Sequence, residues 1–121
     1  MSLLLIEYPK CSTCQKAKKW LNDHQISYTD RHIVENNPTF SELTKWHEKS
    51  KLDIRKFFNT SGMKYKELGL TSKLPTMSLE EQLALLATDG MLIKRPLMIG
   101  DDFVLIGFKE AEWEKKLLSY C

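Results

Sequence analysis

Apolar residues run unbroken from Leu3 to Ile6 and then give way to a polar turn, which predicts a buried-type strand over residues 3–8. The period then changes. Ala17, Trp20 and Leu21 recur at helical spacing and predict a helix over 14–24 with these three on its inner face. Ile26 to Ile33 reads as a second, shorter strand. Just after Pro38, Thr39 and Glu42 form a capping box, opening a helix whose inward residues are expected to be Phe40, Leu43 and Trp46. From Leu52 to Leu74 the pattern breaks into short pieces punctuated by Gly62 and Gly69, which predicts short helical turns. A second capping box, Ser78 with Glu81, opens a helix carrying Leu79, Leu83, Leu86 and Ala87, with Asp89-Gly90 as its stop. After Arg95-Pro96 come the strand Leu97–Ile99, a Gly100-Asp101-Asp102 turn, the strand Phe103–Ile106 and a final helix over 109–118. The order is βαβ, a helical insert, then ββα, with no internal repeat.

Composition narrows what such a chain can do. Its 121 residues suit one α/β domain with a real core, and 42% apolar with 28% charged residues is ordinary for a globular protein. No apolar run approaches the roughly 20 residues that span a bilayer, so no membrane insertion is expected. The formal charge of +2 is small and the lysines alternate with glutamates, which gives no case for direct nucleic-acid binding. Met1 to Ile6 is too short for a signal-peptide core, so a cytoplasmic location is expected. In that compartment a close cysteine pair is more often catalytic, redox-sensing or metal-binding than a structural staple.

Such a pair is Cys11-Ser12-Thr13-Cys14, between the first strand and the first helix. A thiol at a helix N-terminus faces unpaired backbone N–H groups and the positive end of the helix dipole, and both favour the thiolate, which is the nucleophile. Cys14, one turn on, is near enough to attack a mixed disulfide on Cys11 and release it as a Cys11–Cys14 bond. Zinc is the weaker reading, because His24, His32, His47 and Cys121 have no paired spacing and four ligands are the rule. The bland reading is an incidental buried pair. Lys10, Lys16, Lys18 and Lys19 are read mainly as a solvated helix face, with Lys10 beside Cys11 able to help hold a thiolate. Cys121, the third thiol, has no assigned role.

Four ordered blocks resemble a known family: Tyr8-Pro9-Lys10-Cys11-Ser12-Thr13-Cys14-Gln15-Lys16-Ala17, Tyr65-Lys66-Glu67-Leu68-Gly69-Leu70, Leu92-Ile93-Lys94-Arg95-Pro96-Leu97 and Gly107-Phe108-Lys109-Glu110. Together they resemble the arsenate reductase (ArsC)/Spx/MgsR family, in its arsenate-reductase-like branch with a Cys-x-x-Cys motif. The resemblance implies a thioredoxin-like fold over residues 1–121, a mixed sheet flanked by helices, with a helical insertion at about 38–90. It also implies a cis Pro96 packed against the active dithiol.

For function the resemblance implies two trades. The arsenate reductases attack arsenate with one cysteine, hold the oxyanion with three arginines and resolve the adduct with glutathione and glutaredoxin. Cys11 matches their nucleophile and Arg95 one of their arginines; the other two fall at Asn59 and near Gly107, and Glu7-Tyr8 stands where those enzymes have a histidine-asparagine pair. Each missing cation weakens oxyanion binding by about 1.5–3 kcal/mol. Spx and MgsR are transcriptional regulators that bind RNA polymerase and use the cysteine pair as a switch. The expectation is a thiol-disulfide oxidoreductase in which Cys11, Cys14 and Arg95 carry the chemistry and Lys10, Ser12, Thr13 and Pro96 position the substrate. It carries no metal or bound cofactor, and thioredoxin or glutaredoxin with glutathione serves as electron donor. A redox-sensing regulator that binds RNA polymerase is the alternative.

Overall fold

The computed structural model describes residues 2–118. Four strands form one mixed sheet in the order β2-β1-β3-β4. The central strand β1 (Leu4–Glu7) runs parallel to β2 (Thr29–His32) and antiparallel to β3 (Leu97–Ile99), and β3 pairs with β4 (Val104–Ile106) as a hairpin. Helix α1 (Ser12–Asp23) makes the crossover from β1 to β2.

Between β2 and β3 the chain is helical: α2 (Phe40–Ser50), a 3-10 turn Ile54–Phe57, α3 (Met63–Glu67), α4 (Leu70–Lys73), a 3-10 turn Leu74–Thr76, α5 (Leu79–Leu86) and a 3-10 turn Gly90–Leu92. After β4, α6 (Glu110–Trp113) continues into a π-helical turn, Glu114–Leu118.

Strand alternation sorts the core into two layers. Ile6, Leu97 and Ile99 point toward the helical insert and pack with Leu43, Trp46, Phe57, Leu83 and Leu86. Leu5 and Met98 point the other way, toward α1 and α6, and pack with Ala17, Trp20, Leu21 and Trp113. With both faces covered, β1 is apolar at successive positions rather than at alternate ones, which is why Leu3 to Ile6 reads as a continuous run.

Both capping boxes form as read. Thr39 and Ser78 accept from the backbone N–H of Glu42 and Glu81, and each glutamate accepts from the N–H of its capping residue. Two assignments to the inner face are corrected. Phe40 and Leu79 are 44% and 45% exposed, because each is the first residue of its helix and lies beyond the edge of the core.

Several boundaries also move. Helix α1 begins at Ser12, two residues before the sequence-predicted start, which places Cys14 inside its first turn. Strand β2 is shorter than Ile26–Ile33: Ile26 and Tyr28 pack against the α1 layer before the strand begins. Asp89-Gly90 does not close α5, which ends at Leu86 with Ala87 as its cap; Asp89 instead caps the following turn by accepting from the Met91 N–H. A Cβ at Gly90 would sit 2.2 Å from the Ile33 carbonyl oxygen, so the backbones meet there as only glycine permits. Among the described residues no helix is long and apolar enough to cross a membrane.

Candidate active site

Cys11 is the N-cap of α1, with φ −86° and ψ 122°. Its own N–H donates to the Tyr8 carbonyl at 3.0 Å, and its carbonyl accepts the first helical bond, from Gln15 at 3.0 Å. The Gln15 side chain reaches back to donate to the Pro9 carbonyl at 2.9 Å, which fixes the turn that carries the thiol. Cys11 is half-buried, whereas Cys14 has no exposed surface; both are free thiols.

These environments separate the two thiols chemically. Burial opposes ionisation of Cys11. The Cys14 N–H, the Cys14 thiol and the Thr13 N–H outweigh it, with the Arg95 charge adding to them, so the Cys11 thiol lies below its ordinary value. Cys14 goes the other way. Burial first of all, then the hydrogen bond to Cys11 and the negative charges of Cys11 and Glu7, push it up to about 12, against a single favourable bond from the Tyr8 N–H. The two thiols are thus shifted in opposite directions, Cys11 toward the thiolate and Cys14 toward the thiol.

A cleft of about 880 Å³ opens beside Cys11. Arg95 and Thr13 line it, as do Asn59 and Gly107. The Arg95 guanidinium lies 5.4 Å over the Tyr8 ring, and its Nη1 is tied weakly to the Met91 and Ile93 carbonyls at 3.5 and 3.4 Å. Its Nε is buried with no partner. Pro96 follows through a cis peptide bond and is buried.

The remaining site residues divide. Lys10 and Ser12 are exposed and are not part of the cleft lining, so neither faces a substrate lodged there. Cys121 lies outside the described residues. Three cations that sequence reading passed over, Lys64, Lys94 and Lys109, do line the cleft. They come from three separate segments; Lys94 and Lys109 stand inside two of the family-like blocks, but nothing local marks them as facing Cys11. Glu7, which the sequence marks only as standing with Tyr8 in place of a histidine-asparagine pair, sits buried at the end of β1 with its charge felt at Cys14. Its signal was a lone acid ending an apolar strand.

A mixed four-stranded sheet, a cysteine pair at the N-terminus of the first helix and a cis proline before β3 define a thioredoxin-like fold. Within that class the chain belongs to the ArsC family, whose model matches residues 6–116. A solved structure from Bacteroides fragilis described as ArsC-family-related is 62% identical with a TM-score of 0.92, over 95% of this chain and 97% of that one. The uncharacterized protein YusI of Bacillus subtilis (strain 168) is 56% identical over 95% of this chain and 98% of its own. The regulatory protein MgsR of the same organism is 31% identical over 91% of this chain and 86% of its own.

Proposed function

We propose that this protein is an arsenate-reductase-like thiol-disulfide oxidoreductase. The observation that carries the reading is the division of labour between its two thiols: Cys11 lowered, half-exposed and beside Arg95 in an open cleft, Cys14 raised and buried one turn behind it.

In the first step the Cys11 thiolate attacks a sulfur of a partner disulfide. A Cys11–partner bond forms, the partner's own S–S bond breaks, and the departing sulfur leaves with the electron pair. Cys14 then attacks the Cys11 sulfur, expelling the partner sulfur and leaving the Cys11–Cys14 disulfide. Two electrons pass from the protein's thiols to the partner. They are restored by reduced thioredoxin, or by glutathione with glutaredoxin. Thr13 contributes its N–H to the thiolate.

Arsenate is the weaker substrate. Of the three oxyanion-holding positions only Arg95 is cationic, and Lys94 and Lys64 are mobile amines that cannot give the paired hydrogen bonds of a guanidinium. The regulator reading is favoured by the likeness to MgsR: the same disulfide would change a surface that meets RNA polymerase.

The test is NADPH oxidation coupled separately to thioredoxin and to glutaredoxin systems, with and without arsenate, using Cys11→Ser as the blank. Sustained consumption with a disulfide substrate, lost in Cys11→Ser, supports the enzyme. A single stoichiometric reduction and no turnover supports the switch.

A further inference from the structure

One buried acid has no part in the chemistry so far. Glu7, the last residue of β1, is 2% exposed, and its Oε1 has no hydrogen-bond partner. A carboxyl held dry with an empty oxygen is costly, and such groups gather where protons move. Leu5 and Glu7 lie on the same side of β1, the side covered by α1. Cys14 and Lys18 lie four residues apart on α1 and so share a helix face. The Lys18 Nζ stands 3.4 Å from Glu7 Oε2 and 3.2 Å from Asp30 Oδ2. The next residue along the chain, Tyr8, directs its N–H at the Cys14 sulfur. The Glu7 carboxyl thus lies against α1, with one oxygen engaged by Lys18 and Asp30 close beside it, one residue before the N–H that meets the Cys14 sulfur.

We propose that Glu7 is the proton acceptor for Cys14 when Cys14 resolves a mixed disulfide on Cys11. This rests on the dithiol mechanism proposed above. The Cys14 S–H proton passes to Glu7, and the electron pair left on the Cys14 sulfur forms the bond to the Cys11 sulfur. The Cys11–partner bond breaks, and the partner sulfur departs with that pair as a thiolate. The Cys14 sulfur is oxidised, the Cys11 sulfur stays at the disulfide level, the partner sulfur is reduced, and no other reactant is needed.

The electrostatics fit this role. Burial first, then the hydrogen bond and charge of Asp30, raise Glu7 to about 7 against the lowering by Lys18, so near neutrality it can take or give a proton. The hydrogen bond and charge of the Cys11 thiolate, two of the influences that hold the Cys14 proton, vanish once Cys11 is in a mixed disulfide. Glu7, whose charge reaches Cys14, then remains as the base. The groups facing the carboxyl are Cys14 and Lys18 from α1, Asp30 from β2 and Tyr28 just before β2, itself raised by burial.

The test uses the reduced full chain carrying Cys121→Ser and the aromatic disulfide DTNB. Attack by Cys11 releases one coloured thiolate, and resolution by Cys14 releases a second, each followed by stopped flow from about pH 6 to about pH 9. The native protein is expected to show a second phase whose rate rises as Glu7 loses its proton near neutrality. Glu7→Gln is expected to slow that phase about tenfold or more and abolish the rise, with the first phase unchanged. Lys18→Met, which removes the cation that lowers Glu7, is expected to move the rise to higher pH and supplies the test if Glu7→Gln does not fold. A second phase of native rate and native pH profile in Glu7→Gln overturns the proposal, as does equal slowing of both phases. Absence of any second release from the native protein removes the dithiol mechanism itself, and the role of Glu7 with it.

Discussion

Cys11 and Cys14 stand one helical turn apart in opposite surroundings, the first half-exposed at the N-cap of α1 and the second without exposed surface. The expected consequence is selective modification. Iodoacetamide at neutral pH should label Cys11 with a rate that levels off below the ordinary thiol range, and should label Cys14 only on unfolding. Peptide mass mapping reads this directly; equal labelling of both cysteines in the folded protein would show that the asymmetry is absent.

Arg95 adds its charge to the forces that lower Cys11, the Cys14 N–H and thiol and the Thr13 N–H being the larger ones. Arg95→Met should therefore raise the thiol only modestly, slowing alkylation at neutral pH by about threefold to tenfold, with the rates converging at high pH. A pH–rate profile of the single-site reaction checks it.

Away from the site, the Arg31 guanidinium grips the Glu42 carboxylate with both arms, at 2.7 and 2.8 Å, fastening β2 to the start of α2. The Arg31 hydrogen bond leads in holding Glu42 at about 2, below its ordinary 4.5. A carboxyl lowered on folding stabilises above its unfolded value and loses that stabilisation as pH falls through the folded one. With Glu42 partly open to solvent, Glu42→Gln should cost on the order of 1 kcal/mol at pH 7. The difference from the native protein should shrink steadily below pH 4.5 and be nearly gone near pH 2, as denaturant melts at each pH would show.

Gly107 adopts φ +71°, and a Cβ there would meet the Lys94 Cε at 3.0 Å. Gly107→Ala should destabilise by about 1–2 kcal/mol. Adding Lys94→Ala should recover only the contact part, because the left-handed backbone remains strained. Thermal melts of the single and double variants separate the two contributions.

How much of this was visible in the sequence follows the range of the interactions involved. The capping boxes at Thr39 and Ser78 are local, and they form as read. The cysteine pair and Arg95 were legible because short motifs mark them. Burial was harder: Phe40 and Leu79 satisfy a helical period yet face outward, since period gives the direction of a face and not how far the core extends along the helix. The full burial of Cys14 and of Glu7 depends on how α1 lies on the sheet. The gathering of Asn59, Lys94 and Gly107 around one cleft depends on chain crossings that no local pattern encodes.

The central claim is that Cys11 attacks and Cys14 resolves, and the mass of each reduced protein, every version carrying Cys121→Ser, after exposure to oxidised glutathione tests it most directly. The account predicts that Cys14→Ser retains one glutathione on Cys11, that Cys11→Ser retains none at Cys14, and that the native protein ends two hydrogens lighter, as a Cys11–Cys14 disulfide free of glutathione. A native protein that keeps glutathione on Cys11 as stably as Cys14→Ser does would contradict it.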